Sequence, residues 1–86
     1  FGMPESRNSH HSRSFPLSMA SEGEALKIVT LLGGRGLSKR LASMGLSVNS
    51  LLEIVNRQGN SIVIARSETR LAIGSGMAHK ILVEPA

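Results

Sequence analysis

Residues 40–55 read RLASMGLSVNSLLEIV, and within this stretch a helical period gives way to a strand period over about six residues. No other feature constrains the fold as much. The chain must stop a helix, turn tightly and start a strand in immediate succession. Leu37, Leu41 and Met44 stand at i, i+4 and i+7, which is one face of a helix. Gly45 follows, where a left-handed residue ends a helix most easily, and Leu46 can supply the apolar contact of such a cap. The turn is then SVNS, in which Asn49 is the non-glycine residue best able to accept positive φ. Beyond it, Leu52 and Ile54 alternate on one face of a strand over residues 50–55.

Four other segments carry strand signals. Residues 24–32, EALKIVTLL, place Leu26, Ile28 and Thr30 on one face and contain a β-branched run. Residues 61–66 follow a turn at Gly59 and make a hairpin with 50–55. Residues 71–74 form a short strand that Gly74 closes as a structural turn residue, and 75–79 read as one helical turn with Met77 and Ala78 facing the core. Residues 80–84 form the last strand, which Pro85 stops. Phe15 and Leu17 can pack inward, with Ser18 as N-cap of a short turn that Gly23 ends. Residues 33–36, GGRG, read as a loop. They are not a phosphate loop, because Lys39 follows Ser38 in the reverse of the required order. Five short strands with small connectors predict a mainly β fold, a small SH3-like five-stranded barrel. Its one short helix, 37–44, lies between strands 1 and 2.

Residues 1–14 hold little that can be buried and read as a disordered N-terminal tail, leaving a domain over 15–86. The first methionine is the third residue, so Phe1 and Gly2 read as vector-derived. With no cysteine there is no disulfide framework and no thiolate metal site. No run reaches the ~18 apolar residues of a membrane span. A soluble, cytoplasmic protein without direct membrane insertion is expected.

The net charge of +4 admits an acidic protein, a nucleic acid or a lipid headgroup as partner. The only aromatic residues are Phe1 and Phe15, outside the barrel strands. That removes the aromatic groove that binds proline-rich helices. It also removes the stacking platform of a nucleic-acid-binding barrel, so no nucleic acid is expected. Catalysis has no motif: there is no aspartate, and no serine stands in a recognisable context with a histidine and a carboxylate. The chain reads as a non-enzyme. The metal candidates are His10, His11 and His79. The adjacent pair can chelate a divalent ion weakly, with zinc favoured over ferrous iron, but no spacing supplies the three or four ligands of a preformed site. No cofactor is required. The densest basic cluster, Arg35, Lys39 and Arg40, is the candidate partner-binding surface. Arg40 can equally pair internally with a carboxylate such as Glu53. Leu41, Met44 and Leu46 read first as core; Met44 and Leu46 join the surface as apolar anchors only where the helix leaves them exposed.

Two motifs carry a family resemblance. RLASMGL at 40–46 matches an R-L-x-x-M-G-L pattern. LAIGSGMAHKILV at 71–83 matches A-[LI]-G-x-x-x-A-x-x-I-x-V at Ala72, Ile73, Gly74, Ala78, Ile81 and Val83. In this order and spacing, over residues 15–84, the chain resembles the ferrous iron transport protein A family, FeoA. Asn49 stands where that family usually has glycine. The resemblance implies a small cytosolic SH3-like accessory protein of bacterial ferrous-iron uptake, acting by contact with the FeoB membrane transporter at the inner face of the membrane. It also implies an alternative, because related domains end iron-dependent repressors. This is a module responsive to a transition metal, zinc or iron, that dimerises through it. Either a monomer or a weak homodimer is compatible with these readings.

Overall fold

The computed structural model describes residues 14–86. The proposed tail, with His10 and His11, lies outside the described residues. β1 (Phe15–Pro16) leads into a 3-10 turn over Leu17–Met19, then β2 (Ala25–Leu31) and α1 (Gly34–Ser43). β3 (Leu51–Gln58), β4 (Ser61–Arg66) and β5 (Thr69–Gly74) follow, and the single turn α2 (Ser75–Ala78) precedes β6 (Ile81–Pro85). All pairings are antiparallel, in the order β1-β6-β2-β3-β4-β5.

The mainly β class and the helix between the first two long strands are as expected. The closed five-stranded barrel is not. Among the described residues there are six strands, and β1 and β5 end the sheet without pairing to each other. Two physical reasons account for the open seam. The chain leaving β5 is spent on α2, which packs on β4, β5 and the 3-10 turn that follows β1. Pro16, in the two-residue β1, has no N–H to extend a ladder.

Inward positions of the strands build the core. Leu26, Ile28, Leu52, Ile54, Ile62, Ile64, Ile73, Ile81 and Val83 are all buried, and Leu17, Leu41, Leu46 and Ala78 close the ends. Two bulges break the period of two. One lies between Ile28 and Thr30, the other between Ile54 and Asn56. The first corrects an expectation: Thr30 is exposed, and Leu31 packs against the core in its stead.

α1 starts at Gly34, three residues before the expected Leu37, and ends at Ser43 with Met44 as C-cap. The expected GGRG loop is therefore mostly the first turn of the helix. Gly34 takes φ +73°, and a Cβ on Gly33 would lie 2.6 Å from Leu37 Cβ, so two different constraints require two adjacent glycines. The helix stop follows the expected mechanism. Gly45 has φ +84°, its N–H donates to Ala42 O at 2.9 Å, and Leu46 N–H donates to Leu41 O at 2.8 Å. These are the two bonds of a Schellman cap. Asn49 has φ +79°. Its N–H donates to Ile28 O at 2.7 Å, while Ile28 N–H donates to Ser50 O at 2.9 Å. The left-handed turn thus continues the β2–β3 ladder. Ser18 is not an N-cap: it lies inside the 3-10 turn, which begins after Pro16 without a side-chain cap.

Candidate functional site

The apolar stripe of α1 faces the sheet: Leu41 is buried, and Leu37 and Met44 are partly buried against the core. Burial of a side chain such as Leu41 contributes about 1.5–3 kcal/mol. The helical period then fixes the other face. Arg35, Ser38, Lys39 and Ala42 fall at i, i+3, i+4 and i+7, and they line one open hollow of about 420 Å³.

Arg40 does not line that hollow. At 100° per residue it lies on the flank of the helix, away from Arg35 and Ser38. Its carbonyl accepts a 2.6 Å bond from Ser43 Oγ. Among the described residues the ion pair present is Lys27 Nζ to Glu84 Oε2, at 3.4 Å. Arg40 therefore has no ion pair with Glu53, and Arg35 and Lys39 also have none within the described residues.

These charges are badly placed for helix stability. Arg35 is in the first turn, and no acidic residue accompanies it there. A cation near the positive end of the helix dipole costs about 0.3–1 kcal/mol. Arg35 and Lys39 are also a like-charge i, i+4 pair, which costs about 0.2–0.5 kcal/mol more. Arg40, in the last turn, is favourably placed. Neither charge stabilises the helix.

The structure separates the other candidates. Met44 is partly buried and packs on the core. Leu46 is core, and its conditional role as an anchor falls away: at 1% exposure its side chain is buried, because the cap that reverses the chain turns this residue inward. Gly74 has φ −66° and ψ 153°, ordinary extended backbone, and caps α2. An added Cβ there would meet nothing within 4 Å. His79 is exposed and its Nδ1 lies 3.0 Å from Ser18 Oγ, joining the end of α2 to the 3-10 turn. Among the described residues no three His, Cys, Asp or Glu side chains come together as metal ligands. No described helix is long and apolar enough to cross a membrane.

Two features escaped the sequence reading. Arg57 Nη2 donates to Ser18 O at 2.7 Å and to Ala20 O, fastening the segment before β2. Nothing local signals this, because both acceptors are backbone atoms nearly forty residues away. Val48 and Leu51 are exposed, at 47% and 60%. The alternation that sends Leu52 and Ile54 inward also sends Leu51 outward, so that signal was present.

The FeoA domain model matches residues 15–85. A relative from Methanocaldococcus jannaschii named "Putative Fe(2+) transport protein A" is 38% identical over 72 residues, 84% of this chain and 88% of the relative. The crystal structure of an iron uptake regulatory protein, FeoA, superposes with TM-score 0.78 at 32% identity, covering 85% of this chain and 97% of that one. A FeoA-like protein from Clostridium acetobutylicum gives TM-score 0.75 at 17% identity, covering 85% and 87%. A manganese-dependent transcriptional repressor gives 0.77 at 21% identity, over 85% of this chain and 42% of the repressor. The last two share the fold.

Proposed function

Because the chain belongs to the FeoA domain family, we propose that it is a small cytoplasmic accessory protein of ferrous-iron uptake, working by contact with the FeoB membrane transporter. It performs no covalent chemistry of its own. The observation that carries this reading is the exposed cationic face of α1, where Arg35 and Lys39 stand unpaired among the described residues and lower helix stability. An acidic face on the cytosolic part of the transporter is the complement such a surface fits. Charges of this kind set encounter rate and orientation more than final affinity. The contact would bring the protein to the inner face of the membrane and weaken with rising salt.

The test is iron uptake in cells that keep FeoB and lack their own FeoA-family protein. The full chain should restore uptake, and a folded Arg35→Glu/Lys39→Glu/Arg40→Glu variant should not. Full restoration by that variant overturns the reading. Stoichiometric zinc or ferrous-iron binding to the purified chain, lost in His79→Ala, would move the assignment to the metal-responsive alternative.

A further inference from the structure

A second hollow, of about 370 Å³, opens where the α1–β3 connection meets the β4–β5 turn. Val48 and Leu51 expose apolar surface in it, at 47% and 60%. Arg66 borders it and has no ion pair among the described residues. The Arg66 guanidinium lies across the end of α1, with Nη1 3.3 Å from where a Cβ on Gly45 would be. The backbone is unusual here. Asn49 at φ +79° and Ser67 at φ +54° are the positive-φ non-glycine residues of the described chain, and both line this hollow.

We infer that this hollow binds a peptide segment carrying a carboxylate beside a large apolar residue. The carboxylate meets Arg66, whose planar fork matches it in two parallel hydrogen bonds. The apolar residue covers Val48 and Leu51, which are too exposed to contribute to the core. A smaller hollow, of about 240 Å³, adjoins through Leu51 and Ser67 and holds Ala25, Ala65 and Glu53. Glu53 opposes a second carboxylate at that end and favours a neutral or basic residue. The order along the ligand is therefore acidic, apolar, then neutral or basic. This surface does not include the α1 face, so it stands or falls separately from the contact proposed above.

The experiment is a titration of the 15N-labelled full chain with the peptide acetyl-AELAKA-amide, followed by amide chemical shifts. Saturable shifts are expected at Val48, Leu51, Arg66 and Ser67. Affinity should fall about tenfold for acetyl-AQLAKA-amide and for Arg66→Gln, the loss of one charge-assisted pair. It should fall severalfold for Leu51→Ser. Arg35→Glu/Lys39→Glu should bind the peptide as the parent does. All these side chains are exposed, and dispersed spectra verify folding before each titration. No saturable shift, equal binding of the glutamine peptide, or shifts confined to α1 would each overturn the proposal. Shifts at Val48 and Leu51 that depend on protein concentration alone would assign the hollow to a second copy and overturn it too.

Discussion

Arg57 Nη2 lies 2.7 Å from the carbonyl oxygen of Ser18, and the same nitrogen donates to Ala20 O. One side chain at the end of β3 thus holds the segment that leads into β2. A hydrogen bond from a charged donor contributes about 1.5–3 kcal/mol, and its loss leaves the part-buried Ala20 carbonyl unpaired. Arg57→Ala should lower stability by about 2 kcal/mol in urea denaturation. Arg57→Lys should recover only part, since the lysine nitrogen stops one bond short of the position Nη2 occupies between the two carbonyls. No change in Arg57→Ala would show the contact to be incidental.

The glycines of the α1 entry should respond in opposite directions. A Cβ on Gly33 would sit 2.6 Å from Leu37 Cβ, so Gly33→Ala must displace the helix start and destabilise. Gly36 has nothing within 4 Å and lies inside the helix, so Gly36→Ala should stabilise by about 0.5–1 kcal/mol. Matching thermal melts for the two variants would contradict this account of the helix entry.

At the helix exit, Gly45→Ala places an L-residue at φ +84°, with Arg66 Nη1 3.3 Å from the new methyl. The expected cost is about 1–2 kcal/mol. Asn49→Gly should be neutral or slightly stabilising, because glycine takes φ +79° without penalty, whereas Asn49→Ala should cost about 1 kcal/mol. Equilibrium unfolding of the three variants checks the order.

Arg35→Glu removes a cation from the first turn of α1 and converts the like-charge pair with Lys39 into an attractive one. The isolated protein should gain about 0.5–1 kcal/mol. If Arg35 is kept for a partner, the same variant should lose partner binding while gaining stability. A variant that is less stable than the parent would contradict the electrostatic reading of α1.

What could be read from the sequence was what neighbouring residues decide. Gly45 and Asn49 took positive φ because each position is fixed by the chain on either side. The inward register of Leu52 and Ile54 came from alternation alone. What could not be read was set by contacts across the fold. The bulge after Ile28 exposes Thr30 because the ladder to β6 shifts there, and no local pattern announces a shift in a partner strand. The open seam between β1 and β5 follows from where α2 packs. Leu46 is apolar and follows a cap, which is compatible with anchor or core until the cap's direction is known. At the α1 face, helical spacing joins Arg35 to Lys39, whereas Arg40 is their neighbour in sequence and stands apart in space.

The most direct measurement is binding of the full chain to full-length FeoB in nanodiscs, with and without guanine nucleotide, across a salt series. Docking through the cationic helix face predicts saturable binding that weakens with salt and falls at least about tenfold in the folded Arg35→Glu/Lys39→Glu/Arg40→Glu variant. Absence of binding in every nucleotide state, or binding that ignores both salt and the charge reversal, would contradict it.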